Sequence, residues 1–531
     1  MCCNGAIYFT NAVYAPTAYR SVSYPALVNE KLQVIDWAIE DEVMSFSAYL
    51  NSMVATYSFF VPEVSYSDDL AEELRGKLIW VDPVSFAIKK YGASETEGTY
   101  LKALVFSYDD VNKTIKADLY NYNDTTNQIL DKTSSQSIDG TTDDGLTYLR
   151  NRLEDFLDYH IIIGNVEGDT KGQSVPYDKD GYAYFKTKGR GTIRFKKAAD
   201  FHDMEVAGGW QIETGQKINI VDRVDLSKES TSHGNGRTYI IDHPLQTSRM
   251  SVYDILSDEE KYPEFSRFFS LMQKATGSDS KSLFDTQANK HDIGSRYALT
   301  TLNTYHYTIY VPTNESLEAL EKSGVLVDPT DLAAYDENWY TIKSNIYDEL
   351  YEGDEATANK VWQQAMIEES RRIRGAEDSD PNTKADSTFD FKKNYSDVMR
   401  DQLKNFIKYH IQDNSVYANA EFDAGYNADG SKASETNYET AYMRESDKQF
   451  AKLKVKGGDE IEVTDANGNV RHVLKNFSAG VGKKPLWNIM CREYEYNASV
   501  VSDASRSRLE TSSYVVIHLI DGPLCNGEVK F

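Results

Sequence analysis

The chain repeats itself, and this constrains its fold more than any other feature. YSFFVP at 57–62 returns as YTIYVP at 307–312, with Pro62 and Pro312 250 positions apart. LEDFLDYHI places His160 98 residues after the first proline, and LKNFIKYHI places His410 98 residues after the second. Two further blocks follow in the same order. KTKGRGTIRF against KVKGGDEIEV aligns Gly189 with Gly457 at an offset of 268, and YIID against HLID aligns Asp242 with Asp521 at 279. Two collinear copies with loop insertions in the second would give an offset that only grows, whereas chance matches would scatter.

The same comparison reaches the first residues. NGAIYFTNAVYAP (4–16) matches NGRTYIIDHPLQ (235–246), the end of the first copy. Residues 1–20 are therefore expected to be the terminal strand of a truncated preceding unit, followed by one unit over 21–248 and another over 249–531. SVSYPALV and SVYDILSD open these two units. Phe265, Phe268, Phe269 and Met272 recur at helical spacing, as do Leu153, Phe156, Leu157 and His160. Downstream, AYFKTKGRGTIRF, VAGGWQIETGQKINIV and GRTYIID alternate between Gly-containing turns, which predicts hairpins; LKVKGGDEIEV, NVRHVLKNF and YVVIHLID repeat the plan. Helices first and hairpins later predict an α+β unit.

Two regions depart from this plan. Residues 92–145 carry a hairpin pattern, YLKALVFSYDD and KTIKADLYNYN, and then a Ser/Thr/Asp/Gly-rich stretch that reads as a loop. Residues 327–400 are rich in helix formers and include a charged loop. In VPTNESLEALEKSG, Thr313 or Asn314 can cap a helix with Glu315 in its first turn and Gly324 at its end. In the first copy the cap falls at Ser67, so the same helix is expected to start later.

Of the 531 residues, 40% are apolar and 26% charged, enough for packed cores and too ordered a composition for a disordered chain. A formal charge of −26 opposes nucleic-acid and anionic-lipid partners. The basic run KTKGRGTIRFKK (186–197) alternates as a strand with one solvated face does, and the 37 tyrosines suit half-buried sheet faces. Cys2, Cys3, Cys491 and Cys525 form neither a disulfide framework nor a zinc spacing, although a Cys491–Cys525 bridge stays open. No apolar run is long enough for a membrane span, and the first 20 residues lack a signal-type apolar core, so the protein is either cytosolic or carries its export signal upstream.

GxSxG, HExxH and P-loop motifs are absent from the sequence, and no short motif singles out a carboxylate pair. YDKDGY (177–182) and TDANGN (464–469) echo calcium loops without the spaced Glu and read as turns. No catalytic residue, metal ligand or cofactor is expected. Each YH histidine ends an apolar stripe just before a strand, the setting of a core histidine bonded to backbone; a ligand or adhesion epitope is the alternative.

In this order, the V/A-P-T-N/D segment, seen as VPTN at 311–314, the helix ending in YH in both copies and a closing strand of the NGxIYxxDxxL type resemble the fasciclin domain. Size and insertions are most similar to the long fasciclin-containing surface lipoproteins of Gram-negative bacteria. The resemblance implies wedge-shaped β-sandwiches packed with α-helices, in a non-enzymatic protein of cell-surface adhesion or extracellular scaffolding. It carries the family's YH pair, tied to adhesion and to packing, onto Tyr159, His160, Tyr409 and His410 as binding candidates. Glu63 and Val64 replace the Thr and Asn of positions 313 and 314, which weakens any binding role of that segment in the first unit. The implied partner is an extracellular protein or a glycan, the implied location is the cell surface or outer membrane, and a lipid anchor upstream would fit. A second reading is a carbohydrate-capture accessory protein of an outer-membrane uptake system, using exposed Tyr and Trp from the insertions. A hydrolase comes third and would need two carboxylates roughly 5 to 9 Å apart in one cleft.

Overall fold

A computed structural model describes residues 16–83, 85, 100–168, 175–227, 234–276, 281–284, 299, 301, 306–322, 326, 354, 356–357, 391–444, 447–495 and 511–527. It has both helices and several β-sheets and is α+β in class. The chain divides into two compact units between Thr247 and Ser248.

In the first unit, short helices α1 (Tyr24–Val28), α2 (Gln33–Glu40) and α3 (Phe46–Leu50) precede strand β1 (Tyr57–Pro62). A meander follows: β2 (Leu78–Val81), β3 (Leu101–Asp109), β4 (Thr114–Asn123) and β5 (Gln128–Asp139). The long helix α4 (Asp143–His160) runs directly into β6 (Ile161–Ile163). A three-stranded sheet comes next, β7 (Tyr182–Lys186), β8 (Thr192–Lys196) and β9 (Glu205–Ala207), then α5 (Gly209–Thr214), β10 (Ile220–Leu226) and β11 (Gly236–Ile241).

The central sheet has the order β10-β11-β1-β6. β1 runs parallel to β11, from Tyr57 opposite Gly236 to Pro62 opposite Ile241, and antiparallel to β6. All six residues of β1 are buried because both of its faces are covered. Phe59 and Val61 enter a cluster with α2, α4 and the meander, while Phe60 enters another with β8, β9 and β11. Helix α4 starts where Thr142 accepts the Gly145 amide at 3.2 Å with Asp143 and Asp144 in the first turn, and its buried stripe includes Leu149, Leu153, Phe156 and His160.

Three expectations for this unit need correction. The Ser/Thr-rich stretch after β4 is a strand, β5, paired with β4 at Asn123 opposite Gln128 and Lys116 opposite Asp139. It lies at the sheet edge with its described residues exposed or half-buried, so no apolar alternation marks it. WQIET (210–214), expected inside a hairpin, belongs to α5, which Gly215 ends at φ 74°. The helix expected after Ser67 is one 3-10 turn, Glu72–Leu74, because the Ser67 hydroxyl is turned to the Asp69 amide two residues on and caps nothing longer.

The second unit has α6 (Val252–Ser257), α7 (Ser266–Lys274), β12 (Tyr307–Pro312), α8 (Asn314–Lys322) and α9 (Phe391–Tyr409), which leads into β13 (Ile411–Asp413). Then come β14 (Glu435–Met443), β15 (Phe450–Lys456), β16 (Glu462–Thr464), β17 (Val470–His472), the small pair β18 (Ser478–Ala479) and β19 (Lys484–Pro485), β20 (Ile489–Glu495) and β21 (Thr511–Ile520). One eight-stranded sheet takes the order β17-β16-β15-β14-β13-β12-β21-β20. Its β13-β12-β21-β20 portion repeats β6-β1-β11-β10, with β12 parallel to β21 from Tyr307 opposite Val515 to Pro312 opposite Ile520. Ile309 and Val311 pack to one side and Tyr310 to the other. The α8 helix is present as expected. Thr313 Oγ1 accepts the Ser316 amide at 3.4 Å, and Asn314 ties α8 to the start of α7 by accepting from the Arg267 amide at 3.1 Å.

The third sequence block is not a structural match. Pairing relates β7 to β14 and β8 to β15, since β6 bridges to Thr187 just after β7 and β13 pairs with β14. Gly189 then lies in the β7–β8 turn, while Gly457 follows β15. Half-buried hairpins share a basic and apolar alternation, so the resemblance of these two stretches reflects hairpin composition and not position. Most of the expected terminal strand at 1–20, Cys2, Cys3, Gly324 and most of 327–400 lie outside the described residues.

A matched pair of hydroxyls tests the shared core. Ser58 Oγ donates to the Gly164 carbonyl at 2.9 Å and accepts from the Val166 amide at 3.1 Å; Thr308 Oγ1 does the same with Asn414 at 2.7 Å and Val416 at 3.0 Å. Ser58→Ala and Thr308→Val each leave a buried amide and a half-buried carbonyl without this partner. Each is expected to cost about 1–3 kcal/mol with an unchanged slope in urea denaturation. A negligible loss from either would show that the bridge is not part of the stabilising core.

Candidate functional site

The four binding candidates from the sequence are inside the protein. Tyr159, His160, Tyr409 and His410 are all buried. His160 Nδ1 lies 2.7 Å from the Phe156 carbonyl one turn back, and Nε2 accepts the Leu245 amide at 2.9 Å. His410 repeats this with the Phe406 carbonyl at 2.8 Å and the Leu524 amide at 3.0 Å. A carbonyl can only accept, so Nδ1 carries the proton and Nε2 offers its lone pair. Each ring is therefore neutral. Burial holds both pKa values down to about 4, against the weaker opposing pull of the carbonyl.

The tyrosines serve other neighbours. Tyr159 donates to the Thr192 carbonyl at 2.9 Å and accepts from the Gly209 amide at 3.2 Å. Tyr409 donates to the Lys452 carbonyl at 3.1 Å and accepts from the Ala466 amide at 3.0 Å. The approach at Tyr159 is close. A Cβ on Gly208 would stand 2.2 Å from the Gln246 carbonyl and 2.9 Å from the Tyr159 hydroxyl, so only glycine fits. Helix end, hairpin sheet and closing segment thus meet at each YH pair, whose side chains hold architecture in this state.

Sequence reasoning missed the partner of the histidine, although the signal was present as a repeated Asp-x-x-Leu spacing. Asp242 ends β11 by accepting the Asn219 amide at 2.9 Å and its side-chain amide at 2.6 Å. Asp521 accepts the His472 amide at 3.1 Å. Three residues on, Leu245 and Leu524 present their amides to the rings. It also missed His518, which aligns with Tyr239 in the closing strands. His518 Nε2 donates to the Val416 carbonyl at 2.9 Å and Nδ1 accepts the Asn488 amide at 3.1 Å, the opposite tautomer. Burial holds this ring down to about 4 as well.

The remaining sequence candidates resolve as structure. Asp178 of YDKDGY accepts the amides of Asp180 at 2.9 Å and Tyr182 at 2.8 Å, and Asp465 of TDANGN accepts those of Asn467 and Asn469, both at 2.9 Å. Both carboxylates are turn caps. Among the described residues no group of His, Cys, Asp and Glu is arranged to hold a metal, and no helix is long and apolar enough to cross a membrane. Cys491 and Cys525 are buried thiols and do not bridge.

Two concave sites open on the first unit. A groove of about 500 Å³ is lined by Tyr182, Arg194, Lys196, Glu205 and Lys217 among others. Its charges are largely spent on one another. Glu205 accepts from Tyr182 at 2.8 Å and Lys196 at 3.1 Å, and the Arg194 guanidinium lies 4.8 Å over the Tyr182 ring. A second cleft of about 390 Å³ is lined by Gln33, Asp36, Trp37, Glu40 and Asp41 of α2 and its end, and by Tyr108, Asp110 and Lys113 at the β3–β4 turn. Burial, aided by Glu40, raises the Asp36 carboxyl to about 6. No family model matches the chain, and no curated protein matches it in sequence.

His160→Ala and His410→Ala each remove a ring and leave the buried leucine amide at Leu245 or Leu524 without its acceptor, and each is expected to cost roughly 2–5 kcal/mol by urea denaturation. The buried rings also set a pH dependence. Their folded pKa lies below the ordinary 6.5, so the stabilisation is complete above that value and is lost as pH falls towards 4, where the folded state also takes up the proton. Each ring contributes roughly 3 kcal/mol across that window. With His410 and His518 in one unit and His160 in the other, the second unit should lose about twice as much. His160→Gln should remove one proton from the uptake on unfolding between pH 6.5 and 4, and an unchanged profile would mean that His160 titrates normally.

Proposed function

We propose that this protein is built of tandem fasciclin-like modules, each a wedge-shaped β-sandwich packed with α-helices. It acts without catalysis as an adhesion or scaffold protein at the cell surface, after export. The observation that carries this reading is the repeated ring clamp. The motif positions behind the resemblance, namely the strand at β1 and β12, the YH pair and the Asp-x-x-Leu turn, interlock in the same way in both units. Two copies of one rigid interior suit a protein that presents surfaces to an extracellular protein or glycan. Under this reading the YH residues keep the module in shape, and the surface between the clamps makes the contacts.

A second reading, carbohydrate capture for an outer-membrane uptake system, has one feature in its favour. Trp37 and Tyr108 line a single cleft, and Tyr108 comes from the inserted meander.

Adhesion is tested with beads coated with the purified chain and applied to cells of the producing organism. They are expected to attach above the level of albumin-coated beads, and soluble chain should compete. His160→Ala and His410→Ala beads should lose attachment only in proportion to the fraction unfolded. Attachment no better than albumin would overturn the reading.

A further inference from the structure

The geometry points to the Trp37–Tyr108 cleft as a glycan subsite that takes neutral or amine-bearing sugars and rejects acidic ones. This deepens the carbohydrate reading and rests on it.

The spacing of α2 makes the site. Val34, Ile35, Ala38 and Ile39 are buried in the core, which leaves Gln33, Asp36, Trp37 and Glu40 on the opposite stripe at i, i+3, i+4 and i+7. A large aromatic on the outward stripe of an amphipathic helix has no packing reason to be there unless something covers it. Here the cover comes in part from the meander, since Trp37 and Tyr108 both pack half-buried against the same core cluster, and the cleft remains open beside them. Trp37 gives a sugar ring's C–H face a flat apolar surface beside Tyr108, over whose ring the Lys113 ammonium lies at 6.0 Å, and the polar groups around them can bond its hydroxyls.

The polar lining divides into spent and unspent groups. Asp41 is held by Arg150, whose Nε and Nη2 lie 2.9 and 2.7 Å from Oδ2, and it also accepts the Val43 and Met44 amides. Asp110 faces Lys113 at 3.7 Å. Asp36 accepts no hydrogen bond among the described residues, although it is half-buried; Gln33 is exposed, with its amide available. Asp36 therefore remains an uncommitted acceptor for hydroxyl or ammonium groups, Glu40 keeps its charge and one free oxygen while Oε1 accepts the Ser47 hydroxyl at 3.2 Å, and the two charges repel carboxylate or sulfate sugars. The cleft volume of about 390 Å³ falls in the range of small-molecule sites.

The test is calorimetric titration of the full chain with maltohexaose, cellohexaose, a chitosan hexamer and oligogalacturonate. Saturable binding of at least one neutral or amine-bearing oligomer is expected, with oligogalacturonate about tenfold weaker or silent. Trp37→Ala should weaken the bound oligomer about tenfold or more. Because Trp37 also packs on the core, Gln33→Ala and Asp36→Asn serve as variants that spare the fold. Asp36→Asn should weaken the chitosan hexamer more than the neutral oligomers. No binding of any oligomer, preference for oligogalacturonate, or affinity unchanged in Trp37→Ala and Asp36→Asn would overturn the assignment. Coated beads that still attach to cells in that case would leave the adhesion reading standing, which separates the two failures.

Discussion

One neutral imidazole, required to donate on one side and accept on the other, is the interaction on which each unit depends. His160 and His410 take up the carbonyl one turn back along their helix and the amide of a leucine just past the closing strand. The closing strand is not the neighbour of the strand that follows the helix, because β1 or β12 lies between them. The ring thus fastens two elements across a third. No hydroxyl, amide or carboxylate of similar size combines a donor and an acceptor on opposite edges of a flat apolar ring that also stacks on Phe156 at 4.1 Å and lies 4.4 Å from Phe406.

This interior is duplicated more faithfully than anything around it. The serine or threonine hydroxyl of the central strand, the ring clamp, the tyrosine bridge and the aspartate ending the last strand all recur. The surroundings diverge. One unit carries a four-stranded meander whose turn faces α2 across a cleft, whereas the other continues its central sheet into four further strands. A function that differs from plain mechanical support has to reside in such differences, since the repeated part has its polar groups committed inward.

Much of this was legible because it repeats or alternates. The stripe of α4, the strands at 57–62 and 307–312 and the β3–β4 hairpin follow directly from residue spacing. The misreadings have physical causes. Strand β5 lies at a sheet edge and is held by backbone pairing to β4, so its polar sequence shows no period of two. Trp210 sits in a helix of six residues, too short to display a period against flanking strand patterns. Gly189 and Gly457 match because hairpins share a composition, and only the hydrogen-bond ladders reveal that they belong to different turns. The buried state of the YH rings was anticipated from the apolar stripe, but their amide partners lie 85 and 114 residues downstream, beyond the reach of local pattern. The cleft beside Trp37 was invisible for the same reason, since its walls come from a helix near residue 37 and a turn near residue 110.

The parallel pairing of the first and last central strands has a consequence for how the protein is made. Tyr57 waits for Gly236, and Tyr307 for Val515, so the middle of each sheet cannot be completed until nearly all of that unit has left the ribosome. Until then β1 or β12 carries an open edge and uncovered aromatics, a condition that favours aggregation in a crowded compartment. Synthesis in sequence order confines that exposure to one unit at a time, because the first can seal itself before the second has presented its own gap.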